Sequence, residues 1–194
     1  LIDMDFQGNA TTNCNIDEMG LQYTVKNLLL DDSLPAKECI VETEKGFDLI
    51  GSNLEVADTE INLYSKFSRE FILKEKLDGL GYDYVIIDCS PNLSMMTINA
   101  LMATDLALVP LEPHIFAIKG ISALMNTLNL VKRANKNLKH KFFITKFDAR
   151  LSAFKELEAE LRHSLKNDIL NTVIRVDNQV RNSQNEFKTI FEMK

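Results

Sequence analysis

The sequence holds no apolar run near the ~18–20 residues that cross a bilayer. Its longest run, around Leu106 to Leu111, is strand-sized. A basic start followed by an apolar stretch is also missing, so the sequence gives no expectation of a signal peptide. Cysteine is sparse: Cys14, Cys39 and Cys89 are odd in number and far apart, with no CxxC pair or metal-like cluster. A reducing cytosol is the simplest setting for them. Proline is limited to four residues, and no repeat, low-complexity tract or Pro-, Gly- or Ser-rich linker divides the chain. One compact domain over residues 1–194, incomplete at its ends, is expected. Positive charge is in deficit, the net charge being −6. Coating nucleic acid by bulk charge is thereby excluded, and any DNA contact needs a local patch or assembly. Finally, no Gly-Lys-Ser or Gly-Lys-Thr occurs; only the reversed order appears, at Lys45-Gly46 and Lys119-Gly120.

What is present reads as an α/β protein. Hydrophobic residues make up 45% of the 194, enough for a sizeable core. Short apolar runs alternate with helix-like stretches, the pattern of a mainly parallel sheet flanked by helices. Strands are expected at Leu1–Asp5, Phe47–Gly51, Tyr84–Asp88, Leu106–Leu111, Phe142–Phe147 and Asn171–Val176. Ile121, Leu124, Met125, Leu128 and Val131 follow helical spacing and predict a helix over 119–135. Phe154, Leu157, Leu161 and Leu165 do the same after Ser152, which is expected as the N-cap. Ser68 is expected to cap a further helix ended by Gly79 and Gly81. The chain opens at Leu1 inside an apolar segment, and so reads as a fragment, a processed form or the product of an internal start.

Two constellations carry chemistry. In Asp3-Met4-Asp5-Phe6-Gln7-Gly8-Asn9-Ala10-Thr11-Thr12 the two acids are two apart, hence on one face of a strand. At the C-terminal end of a parallel strand, where ligands bind, they suit hydrated Mg²⁺ or the positioning of a water. A solvated strand end followed by a turn is the ordinary alternative. In Tyr84-Val85-Ile86-Ile87-Asp88 an apolar run ends in an acid, the Walker B pattern: a buried strand delivering a carboxylate towards Mg²⁺. Any buried strand ending in Asp fits as well. Cys89 reads as a small buried residue, since no nearby His offers a base. Met95, Met96, Ile98 and Leu101 read as the core or interface face of a helix.

The stretches LIDMDFQGNATT, LIGSNLEVADTEINL, YDYVIIDCSPNLSMMTINAL, ATDLALVPLEPHIFAIKGISAL and ITKFDARLS resemble, in the same order and at similar intervals, the ParA/Soj partition ATPases. The resemblance runs from Leu1 to about Glu186 and implies a P-loop NTPase-like fold of the deviant Walker A type. It implies Asp5 as the acid needed for hydrolysis, Asp3 and Asp88 in the Mg²⁺ environment, and Phe147, Asp148, Arg150 and Asn178 near the nucleotide base. Pro is absent between Arg175 and Asn178, where relatives carry a Pro-Arg-Asn type loop, and Phe6 replaces the usual Pro. Glu112 and Phe116 match a segment near the dimer interface. The basic cluster Lys132, Arg133, Lys136, Lys139 and Lys141, with Arg162 alongside, matches a non-specific DNA surface; a solvated helix end is the alternative. ATP and Mg²⁺, a homodimer, DNA and a ParB-like centromere-binding partner follow from the resemblance. So does a cytoplasmic, nucleoid-associated setting without membrane contact.

The resemblance also sharpens the last absence. These ATPases carry a KGGxGKT-like loop ahead of the paired-Asp strand, and it is not among these 194 residues. The strand and helix around that loop are likewise missing, which is expected to leave apolar edges on neighbouring strands. The loop supplies backbone N–H donors and lysine charge to the phosphates. Charge-assisted hydrogen bonds contribute about 1.5–3 kcal/mol each, so losing about four weakens binding by several orders of magnitude. Two expectations follow: a Mg²⁺-dependent ATPase, or a nucleotide-incompetent remnant acting as a dimerisation or interaction module. Metal-cluster carriers and ion-pump ATPases of the wider group usually pair cysteines near the interface, and these three cysteines form no such pair.

Overall fold

The computed structural model of the chain describes residues 1–114 and 117–193. They group into two compact units, one of Leu1–Ala103 with Asn182–Lys194, the other of Thr104–Arg181.

In the first unit four short strands, β1 (Ile2–Asp3), β2 (Ile40–Glu42), β3 (Asp48–Ile50) and β4 (Ile87–Asp88), lie in the order β2-β3-β1-β4. β1 is parallel to both neighbours, with Ile2 opposite Ile50 and Asp3 opposite Asp88. The expected strands are present but shorter. β2 was not expected. It is antiparallel to β3 and reaches it through a turn in which Gly46 has φ 82°, a conformation that favours glycine. Helices α1 (Asn9–Asn13), α2 (Val25–Leu30), α3 (Thr59–Leu63), α4 (Ile72–Leu77) and α5 (Met95–Ala103) complete the unit. The core forms where Ile2, Met4 and Ile50 of the sheet meet Val25, Leu28 and Leu29 of α2, Leu73 of α4 and Met96 of α5. Val25, Leu28 and Leu29 follow i, i+3, i+4 spacing, and Thr24 closes the helix start in a reciprocal capping box with Asn27.

Two local expectations are corrected here. Ser68 is not a cap: it sits in a left-handed turn at φ 48°, and α4 begins only at Ile72. The segment before Asp88 is not buried either, since Tyr84 is 88% and Ile86 67% exposed. The reason is the sheet order. β4 is an edge strand, and β1 lies beside it only from the Ile2 N–H, which bonds the Ile86 carbonyl at 2.8 Å. Among the described residues no strand therefore covers residues 84 and 85.

The second unit holds a fully parallel sheet, β5 (Leu106–Leu111), β6 (Lys139–Phe147) and β7 (Ile169–Arg175), in the order β5-β6-β7. The core holds Leu111, Phe142, Ile144 and Ile169 of the sheet with Leu161 of α7 (Ser152–Leu165), and Ile121, Leu124 and Met125 of α6 (Ala117–Ala134) pack against it. Leu128 and Val131 of α6 are buried as well. Ser152 makes no capping hydrogen bond; it is the first helical residue, and Leu151 occupies the cap position. Helix α8 (Asn178–Asn185) starts in this unit and ends in the first. Among the described residues β5, like β4, has a strand on one side only, and Leu106 and Leu108 on it are exposed.

Candidate functional site

The chemistry of the first unit starts at the end of β1. Asp3 is fully buried, so its carboxylate needs partners. One oxygen accepts from the Asp5 N–H at 3.1 Å; the other accepts from the Thr11 N–H at 2.9 Å and the Thr11 hydroxyl at 2.8 Å. The Thr11 Oγ1 in turn accepts from the Ser52 N–H at 2.9 Å. This chain of bonds ties β1, the start of α1 and the loop after β3 into one unit. Gly8 lets the strand turn into α1: its φ is 62°, and a Cβ there would lie 3.1 Å from the Ser52 carbonyl oxygen. Both Asp3 oxygens accept hydrogen bonds, and the carboxylate thereby fixes the backbone from which Asp5 projects. Ser52 was not singled out in the sequence, and Thr11 stood in the first constellation without a role. The available signal was a hydroxyl residue in the first turn after a strand ending in Asp.

Asp5 differs. It is half-buried, and one of its oxygens accepts from the Gln7 N–H at 3.1 Å. Asp88 stands opposite Asp3 in the ladder, its carbonyl accepting from the Met4 N–H at 2.8 Å. Partial burial, and then the charges of Asp3 and Asp5, hold the Asp88 carboxyl above the usual carboxylate range. Burial, with Asp88 and Asp5, pushes the Cys89 thiol up to about 12, so this cysteine is a poor nucleophile. Among the described residues no group of three or more His, Cys, Asp or Glu is arranged to hold a metal ion. Asp5 and Asp88 are hard oxygen donors of the kind Mg²⁺ takes one or two at a time, with waters and phosphate oxygens completing its shell. They fit that cation as part of a shared shell. A cavity of about 470 Å³ opens beside Asp88, lined also by Asn9, Asn13, Gln184 and Lys188.

The second unit collects the other expected residues. Phe147, Asp148, Arg150 and Asn178, with Arg175 and Val176, line one cavity of about 350 Å³. Phe147 is buried at the end of β6. Just before it, Lys146 takes a left-handed φ of 51° and pairs with Glu112. The Arg150 guanidinium grips Asp148 through two side-chain bonds of 2.8 and 2.6 Å. That grip, helped by the Arg150 N–H, pulls the Asp148 carboxyl down to about 2. Phe116, expected near an interface with Glu112, lies outside the described residues.

The basic cluster is divided. Arg133, Lys136 and Lys139 are exposed. Lys132 is half-buried, its ammonium 3.0 Å from His140 Nδ1. Lys141 donates to the Asn167 carbonyl at 2.6 Å. Arg162 is held by Glu158 at 2.9 Å and by the Leu170 carbonyl at 3.1 Å. Three of the six expected DNA-contacting cations thus have their charged ends turned to the protein. No helix of the described residues is long and apolar enough to cross a membrane.

Comparison with known proteins gives this geometry a context. A family model described as an AAA domain matches residues 1–140. The sporulation initiation inhibitor protein Soj of Bacillus subtilis is 35% identical over 90% of this chain, which spans 70% of Soj. The chromosome partitioning protein ParA of Myxococcus xanthus is 34% identical over 90% of the chain, which spans 63% of that protein. Among solved structures, cobyrinic acid a,c-diamide synthase of Mycobacterium smegmatis, with bound ADP and magnesium, superposes with a TM-score of 0.82. It is 30% identical, over 91% of this chain and 74% of its own. With a family model covering its first 140 residues and a Soj likeness at 35% identity, the chain belongs to the ParA/Soj family of partitioning ATPases.

Proposed function

We propose that these residues form the acid-bearing and base-binding parts of a Mg²⁺-dependent ATPase that dimerises on ATP, binds DNA without sequence preference and answers to a ParB-like partner. The observation that carries this reading is the Asp3–Thr11–Ser52 clamp, which sets the half-exposed Asp5 near Asp88. Asp88 is destabilised as a carboxylate by desolvation and then by its acidic neighbours, and a bound cation would relieve both. When bound, Mg²⁺ supplies neutralisation of the phosphate charge. Asp5 and Asp88 would hold it through water. Asp5 also orients the attacking water and accepts its hydrogen bond, while Asp3 fixes the backbone from which Asp5 projects. The cavity bounded by Phe147 and the Asp148–Arg150 pair takes the nucleotide base. Arg133, Lys136 and Lys139 provide phosphate contacts to DNA. The setting is the cytoplasm, on the nucleoid.

Calorimetry of ATP binding with Mg²⁺ tests this reading, run on the chain carrying a KGGxGKT-like loop ahead of β1. ATP binding is expected, and Asp5→Asn in the same protein should keep binding while losing hydrolysis. No binding by the looped protein, or hydrolysis unchanged in Asp5→Asn, would eliminate the reading.

A further inference from the structure

His140 sits on β6 within the basic cluster, only 8% exposed. Its two ring nitrogens face opposite charges. Nδ1 is 3.0 Å from the Lys132 ammonium of α6. Nε2 is buried without a hydrogen-bond partner among the described residues, 3.7 Å from Asp168 in the turn after α7. On its own strand Lys141 adds positive charge, although its ammonium is turned to the Asn167 carbonyl, and the ring of Phe142 meets the imidazole edge-on at 5.7 Å. A lysine ammonium has only donors, so the bond to Nδ1 requires that nitrogen to be the bare acceptor. The ring proton of the neutral tautomer then lies on Nε2, towards Asp168. A second proton has one place to go, Nδ1, the atom that accepts from Lys132. Protonation of His140 and retention of Lys132 are therefore mutually exclusive.

We propose that Lys132 and His140 form a proton-controlled latch on the basic face: neutral His140 holds the Lys132 ammonium inward, and protonated His140 releases it towards a polyanion such as duplex DNA. This rests on the DNA-binding reading given above. Protonation takes a proton from solvent and adds one positive charge, and the freed lysine adds a second charge within reach of phosphate. Burial first, then Lys132, hold the imidazole below its ordinary value of 6.5, with Asp168 opposing them. The latch is closed near neutrality and opens on acidification, or when phosphates nearby raise the proton affinity of the ring.

The test is an NMR pH titration of His140 in the 194-residue protein, with the resonance assigned by its loss in His140→Gln. The expected midpoint lies below 6.5 in the parent and rises in Lys132→Met and on adding a short duplex. An unchanged midpoint in Lys132→Met overturns the latch. Duplex affinity is then read against salt at about pH 7.5 and about pH 5.5, either side of the ordinary histidine value. The log–log slope of the parent steepens by about one to two on acidification, as one or two further cations meet phosphates. His140→Gln, which keeps an acceptor that does not titrate in this range, shows no such change. A slope that steepens equally in His140→Gln overturns the proposal. A duplex that moves no resonance at either pH removes the DNA-binding reading and the polyanion half of the proposal, and the Lys132→Met arm still decides whether the latch exists.

Discussion

Asp3 in the first unit and Asp148 in the second are both satisfied carboxylates, and they are satisfied in opposite ways. Asp3 is buried and takes three hydrogen bonds from neutral donors, two of them backbone N–H groups. Asp148 lines its cavity and takes the exposed guanidinium of Arg150, two residues away. A buried acid held by backbone donors is locked into one geometry, and its loss strands those donors away from water. A water-accessible ion pair is screened by solvent and salt, and it can open without unfolding anything. The first arrangement suits a group that positions a reacting residue. The second suits the rim of a pocket that admits a ligand.

The sharpest way to break this contrast is Asp3→Ala. It leaves the Thr11 N–H and hydroxyl and the Asp5 N–H without an acceptor, and should cost about 3 kcal/mol. Urea unfolding reads the loss directly. A change smaller than that of an average surface substitution would remove the clamp from the account. Thr11→Val keeps the shape but deletes the hydroxyl that joins Asp3 to the Ser52 N–H. It should cost about 1 kcal/mol, and hydrogen exchange should quicken at Ser52 more than elsewhere in the unit.

Asp88→Asn tests the acidic cluster without touching the clamp. The folded protein holds this carboxyl above the ordinary 3.8, so it binds more protons than the unfolded chain as pH rises from that value. The resulting penalty is full above the raised value and is relieved as pH falls towards 3.8. The variant should thus be more stable than the parent at neutral pH, with the difference vanishing in acid. Cys89 should also become easier to deprotonate, read as faster alkylation at high pH. Unaltered thiol reactivity would mean that Asp88 has no part in raising it.

The smallest effect is expected for Asp148→Asn. Its folded value is depressed, so its contribution is present above 3.8 and fades as pH falls towards about 2. The variant should lose that acid limb, show little change in urea midpoint at high salt, and weaken nucleotide binding if the cavity takes the base. A large destabilisation that persists in salt would show that Asp148 resembles Asp3 after all.

Much of the fold could be read along the chain because apolar runs and helical spacing are local properties. The α6 face from Ile121 to Val131 and the β6 residues Phe142 and Ile144 lie where their periodicity puts them. β2 escaped notice because three residues are too few to display alternation. Ser152 has the chemistry of a cap, but the helix starts one residue earlier than a cap would allow. The basic cluster could be located but not sorted. Whether Lys132 faces water depends on His140 beneath it, eight residues away on another element.

By itself the sequence determined which residues carry charge and apolar surface, that the acids fall at strand ends, and that no phosphate-binding Gly-Lys-Ser/Thr is present. Only the tertiary structure decided how each acid is held. Asp3 and Asp5 are two apart on one short segment, yet Thr11 and Ser52 close over the first while the second keeps an open side. The physical reason is that a carboxylate's role follows from desolvation and the donors around it. Those donors arrive from residues distant in the chain, where no pattern of spacing can place them.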